Sequence, residues 1–136
     1  METKLALNWE QGLAFSADVD GHKVIVDAQH GSEPSLGPSP KKLLMVSLAG
    51  CTGMDVVSIL NKMRVNFSRF SINVHAELAD EHPKKYLRIL LEYQLDAAAE
   101  DMEKIVKAIE LSKDRYCGVW NTLSPGLPIE YKVTLL

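Results

Sequence analysis

Two cysteines are the residues of this chain best suited to chemistry. Cys51 lies in Ser47-Leu-Ala-Gly-Cys-Thr-Gly-Met-Asp55, and Cys117 lies in Lys113-Asp-Arg-Tyr-Cys-Gly-Val119. Both segments read as helical, neither cysteine has metal-site spacing, and no signal peptide marks an oxidising destination. Two thiols far apart in sequence that can meet across a helix–helix contact have the layout of a reversible redox couple. The competing reading is packing, because free cysteine is among the most often buried residue types. Nucleophilic or redox work needs thiolate, and thiolate needs a nearby cation or an aligned dipole. Cys51 is roughly three turns from the expected helix start, where the dipole gives little help. Gly50 and Gly53 flank it, which suits either an open approach for a small substrate or close helix packing. Asp55, one turn on, would disfavour a thiolate if charged and unpaired, so it is expected to pair elsewhere.

Other chemistries find less support. His22, His30, His75 and His82 lack ligand spacing and fall on strands or loops. A Cys–His hydrolase would need partners that meet only in space, and nothing in the residues favours one. No serine sits in a nucleophile-elbow context. The segment from Gly31 to Gly37 precedes a helix but lacks the Lys-Ser/Thr element of a phosphate loop. No metal and no cofactor is expected.

The elements that must position the cysteines follow from periodicity. The 136 residues suit one domain, residues 1–136, of ordinary globular composition. A net charge of −3, with no basic cluster, argues against nucleic acid as partner. Leu5, Leu7 and Trp9, then Leu13, Phe15, Ala17 and Val19, alternate as strands with one buried face. Asp20-Gly21 is a tight hairpin turn, and Lys23 to Asp27 returns as a third strand. Gln29 to Pro38 is a loop. Ser39-Pro40 reads as an N-cap followed by proline at the first helical position, opening a helix that runs to about Met63.

That helix is apolar almost all round, so it should be enclosed on most sides; in a chain this short, enclosure suggests a dimer with a shared core. Its apolar run from Leu43 to Leu60 is a poor membrane span, since an ionised Asp55 near a bilayer centre costs at least about 2.5 kcal/mol. No membrane is expected, and the cytoplasm is the expected location, where a disulfide is usually transient. Phe70 to Leu78 and Leu87 to Leu95 alternate as an antiparallel hairpin around a Glu81–Lys84 loop. A second helix, with Asp96 as cap, carries Met102, Ile105, Val106, Ile109 and Tyr116 on one stripe beside Cys117. Ile129 to Leu135 is a last strand. The fold class is α+β, in the order βββ-α-ββ-α-β.

Pro38-Ser-Pro-Lys-Lys-Leu-Leu-Met-Val-Ser-Leu-Ala-Gly-Cys51, followed by Asp55-Val-Val-Ser-Ile-Leu60, resembles the cysteine helix of the OsmC/Ohr family. Leu111-Ser-Lys-Asp-Arg-Tyr-Cys117 resembles its second cysteine segment, and the order of elements matches over nearly the whole chain. Within the family the chain looks most like the small YhfA-like branch. The resemblance implies an intertwined homodimer whose central buried helices lie between strands of both subunits. It also implies thiol-dependent reduction of organic hydroperoxides in the oxidative stress response. Cys51 would be the peroxidatic thiol and Cys117 the resolving one, with an external dithiol as reductant.

The chain departs from that pattern at the activating ion pair. The family's hydroperoxide reductases use an N-terminal Arg held by a Glu at the start of the cysteine helix. Here no arginine precedes Arg64, and Lys41-Lys42 stand where the Glu is expected. Lys41 or Lys42 could supply a cation by reaching along the helix. The departure keeps open a non-enzymatic alternative, a dimer that binds a hydrophobic ligand or senses redox state.

Overall fold

The computed structural model describes residues 1–136, which form two compact units, residues 1–46 and 47–136. In the first unit β1 (Asn8–Gln11), β2 (Ala14–Val19) and β3 (His22–Val26) make an antiparallel sheet in that order. Val19 pairs with His22, so Asp20 and Gly21 form a two-residue loop, and both have positive φ (52° and 80°). That is the left-handed pair a right-twisted hairpin requires. Residues 1–7 form no strand, so Leu5 and Leu7 fall outside β1.

The buried face of this sheet differs from the expected one. Ala14, Ser16 and Ala17 are buried, whereas Leu13, Phe15 and Val24 stay exposed together with Trp9. Ala14 and Ser16 share one face; Ala17 is buried on the other, where the neighbouring Phe15 and Val24 stay partly exposed.

The loop before the long helix is clamped by Asp27. Its carboxylate accepts hydrogen bonds from the Leu36 and Ala28 amides (2.9 and 2.7 Å), and those donors hold its pKa below the usual carboxylate value. The Asp27 amide donates to the Pro38 carbonyl at 3.1 Å. Gly37 approaches the Ile25 backbone so closely that a Cβ there would collide with it. The chain is thus delivered to Ser39 and Pro40 in position to start α1 (Pro40–Lys62). Ser39 caps as expected, with the Lys42 amide 3.4 Å from its Oγ and 3.1 Å from its carbonyl.

The second unit contains the rest of α1 and a sheet of β4 (Phe67–Leu78), β5 (Tyr86–Ala97) and β6 (Ile129–Leu135). β5 is central and antiparallel to β4, with Ile72 opposite Tyr93 and Val74 opposite Leu91. Its inward residues Ile89, Leu91, Tyr93 and Leu95 are sealed from solvent, as their alternation requires. β6 pairs with β5 in parallel. A parallel partner needs a crossover, and helices α2 (Met102–Leu111) and α3 (Gly118–Leu123) supply it.

Three expectations are corrected here. Asp96 is no helix cap; it sits in β5 and pairs with Arg69 at 2.9 Å, while a 3₁₀ turn at Ala99–Asp101 starts the helical segment. Tyr116 leaves the apolar stripe and is 59% exposed, because α2 passes into a π-helical turn at Ser112–Tyr116. The wider turn shifts the helical phase, turning Ser112 inward and Tyr116 outward. Cys117 is therefore not inside a helix: it is extended (φ −78°, ψ 101°) and caps α3, a helix the sequence analysis did not anticipate.

The enclosure expected of α1 is only partial within one chain. Leu48, Thr52, Val56 and Leu60, four residues apart, are buried on one stripe, while Val46 (63%) and Met54 (76%) are exposed.

Because β5 carries the core, Leu91→Ala should cost about 2–5 kcal/mol of unfolding free energy, whereas Leu87→Ala at the exposed start of the same strand should cost less than about 0.5 kcal/mol. Urea denaturation giving equal losses for the two variants would contradict this placement of the core.

Candidate functional site

Both cysteines lie in the second unit as free thiols, close enough that Cys51 bears on the ionisation of Cys117. Cys51 is half-buried on α1 and packs against the core cluster to which Cys117 belongs. Cys117 is fully buried. The two glycines beside Cys51 divide the readings offered for them. A side chain at Gly50 would meet nothing within 4 Å, so the approach is open there; at Gly53 a Cβ would come within 3.2 Å of Ile72 Cδ1, so that glycine serves close packing.

Backbone bonds define where the Cys117 sulfur sits. The Cys117 amide donates to the Ser112 carbonyl at 2.8 Å, closing the π turn. Its Sγ accepts from the Trp120 amide at 3.3 Å. Its carbonyl accepts from the Asn121 amide at 3.1 Å and from Asn121 Nδ2 at 2.9 Å. Asn121 Nδ2 also donates to the Lys113 carbonyl at 2.9 Å, tying α3 back to the π turn. Aromatic rings line the neighbourhood. Tyr131 lies edge-on to Tyr93 (6.0 Å) and to Trp120 (6.4 Å), and its hydroxyl donates to Glu110 at 2.7 Å.

A line of buried hydroxyls, missed by sequence reasoning, borders the thiols. Thr52 Oγ1, next to Cys51 in sequence, is 2.8 Å from Tyr93 Oη and 2.8 Å from Ser112 Oγ. Ser112 Oγ donates to Asp55 Oδ2 at 2.9 Å. Asp55 thus pairs elsewhere, as expected, and its partner is a hydroxyl rather than a cation. The signal that could have found the network was Thr52 at the four-residue spacing of the buried α1 stripe.

The electrostatics separate the two sulfurs. Burial pushes the Cys117 thiol up to about 11; the hydrogen bond from the Trp120 amide opposes the shift, and the hydrogen bond and negative charge of Cys51, with the charge of Asp55, add to it. Cys117 therefore keeps its proton at neutral pH. Tyr93 is also raised, chiefly by burial, and remains a neutral phenol. The lysines of the first helical turn do not alter this balance. Lys41 and Lys42 are exposed, and at about 1.5 Å rise per residue they lie roughly 13–15 Å along the axis from Cys51, beyond a four-carbon stem. The expected reach along the helix is not available within one chain.

No three His, Cys, Asp or Glu side chains gather as a metal site. The histidines lie apart from the thiols: His22 in β3, His30 and His82 in loops, and His75 on β4 at 3.9 Å from Glu92.

This arrangement of a half-buried helix cysteine against a buried second cysteine accompanies a match to the family of OsmC-like proteins over residues 30–132. The chain belongs to the OsmC-like family. It is 28% identical over 126 residues to protein YhfA of Escherichia coli K12, covering 92% of each chain. Among solved structures it resembles an OsmC-like protein from Mycoplasma pneumoniae (TM-score 0.83, 18% identity, 100% and 98% of the two chains). It also resembles the organic hydroperoxide resistance protein OhrB of Bacillus subtilis (TM-score 0.65, 11% identity, 97% and 98%). These likenesses establish the α+β OsmC-like fold. By length and composition α1 could cross a membrane; in this fold one stripe of it, Leu48, Thr52, Val56 and Leu60, is buried.

The raised Cys117 pKa fixes the sign of a pH effect. A folded-state pKa above the ordinary thiol value means the folded protein holds its proton longer than the unfolded chain does. The resulting stabilisation is complete below about pH 8.5 and is lost as pH rises through about 11. Wild type should therefore lose more stability between pH 9 and 11 than Cys117→Ala does. Chemical denaturation across that range checks this, and parallel curves for the two proteins would refute it.

Proposed function

We propose that this protein reduces hydroperoxides with Cys51 as the attacking thiol and Cys117 as the resolving thiol. The observation that carries the reading is the contact between a half-buried and a fully buried thiol, beside a glycine that leaves the approach open. Cys51 thiolate attacks the terminal oxygen of an organic hydroperoxide and the O–O bond breaks; the alkoxide leaves and takes a proton, and Cys51 becomes a sulfenic acid. Cys117 displaces hydroxide from that sulfur, its thiol proton leaves with the hydroxide as water, and a Cys51–Cys117 disulfide forms. An external dithiol takes the two oxidising equivalents and restores both thiols. A reducing cytoplasm supplies such dithiols, and an oxidative stress response is the setting that needs the reaction.

The functional unit in this reading is a homodimer. Val46 and Met54 on α1, and Leu7, Trp9 and Leu13 in the first unit, are large apolar side chains exposed on a single chain, and a second copy of the chain is the cover proposed for them. A cation that Lys41 and Lys42 do not bring to Cys51 within one chain would then come from the partner subunit.

A second reading rests on a specific observation: no arginine precedes Arg64. Without the activating ion pair, the dimer would bind a hydrophobic ligand or sense redox state and would not turn over.

Given cumene hydroperoxide and dihydrolipoamide, wild type should consume peroxide and Cys51→Ser should not. Cys117→Ser should stop after one turnover with a sulfenic acid trappable by dimedone. Equal inertness of wild type and Cys51→Ser would leave the ligand-binding reading standing in its place.

A further inference from the structure

Disulfide closure requires the two sulfurs to meet at bonding distance and in a narrow dihedral range, so whatever fixes Cys117 relative to Cys51 controls the step. The backbone around Cys117 is fixed through Ser112, whose carbonyl receives the Cys117 amide at 2.8 Å. The side chain of Ser112 is in turn gripped from α1 at two points, Thr52 at 2.8 Å and Asp55 at 2.9 Å. Thr52 and Asp55 are the residues one and four positions after Cys51. The same short stretch of α1 that presents Cys51 therefore also holds the anchor of Cys117.

The direction of the chain follows from proton counting. An ionised carboxylate only accepts, so Ser112 gives its one hydroxyl proton to Asp55. Thr52 must then donate to Ser112, and Tyr93 to Thr52. Three hydroxyls and one carboxylate make a single polarised line, and no buried side-chain nitrogen or oxygen lacks a partner.

We propose that Ser112 and Asp55 are positioning residues for disulfide closure, acting through the Tyr93–Thr52–Ser112–Asp55 line that registers Cys117 against Cys51. This inference builds on the reading of the two thiols as a couple but does not need a hydroperoxide as oxidant.

The test uses the full-length protein and two oxidants. With diamide, one thiolate adds across the N=N bond and the second displaces the resulting hydrazide. The disulfide forms while the reagent gains two electrons and two protons. Closure is followed by intact mass after rapid acid quenching. Ser112→Ala should close at least tenfold more slowly than wild type, with Cys51 alkylated at the wild-type rate, and Ser112→Thr should recover most of the loss. Asp55→Ala, which removes the acceptor of Ser112, should close severalfold more slowly, and Asp55→Asn, which keeps an acceptor, should recover most of that loss. Should Ser112→Ala not fold, Thr52→Val removes the same link without a cavity, and it too should close severalfold more slowly.

Wild-type closure rates in Ser112→Ala, Thr52→Val or Asp55→Ala would overturn the proposal. Cumene hydroperoxide separates it from the peroxidase reading. Inertness to the peroxide, combined with diamide closure that depends on Ser112, would end that reading and sustain this one. Peroxide turnover with closure indifferent to Ser112 would do the reverse.

Discussion

A hydroxyl sealed in apolar surroundings is costly unless it is hydrogen-bonded, and three such hydroxyls lie at the centre of this protein. Thr52, Tyr93 and Ser112 are fully buried, and each satisfies the next. They come from three different elements: the long helix, the central strand and the π turn. None can move without leaving a neighbour unpaired in the core. That mutual dependence sets the register of α1 and of the Cys117 segment on the central strand, and through it the meeting of the two thiols.

The surroundings give the thiols unequal roles. Cys117 is buried, and burial holds its proton in place. Cys51 is half-exposed beside an open glycine position. An asymmetric couple of this kind has one sulfur that a small oxidant can approach and one that can only be reached from within. The aromatic rings of Tyr93, Tyr131 and Trp120 pack around the same region and help to keep it dry.

Each element also has a local cause. The long helix begins where it does because Asp27 clamps the loop ahead of it and Ser39 caps its first turn. The crossover from β5 to β6 is two helices rather than one because the π turn breaks the phase of α2 before Cys117. A helix continued regularly through residues 112–117 would not have turned Ser112 inward and Tyr116 outward.

Local pattern by itself determined much of the molecule. Two-residue periodicity gave the strands, Asp20-Gly21 their first turn, and Ser39-Pro40 the start of α1, because each depends on neighbours within a few residues. The two cysteine segments carried the family resemblance. Tertiary structure alone decided that β6 lies parallel to β5, that Asp96 joins Arg69 and not a helix end, and that Thr52, Ser112 and Asp55 share one hydrogen-bonded line. Those features join residues 27 to 60 positions apart, and no local propensity encodes which distant partner a buried polar group will find. The large apolar residues of β2 illustrate the same division. Their alternation correctly marked a strand, but which face the fold would cover was settled by packing beyond the strand itself.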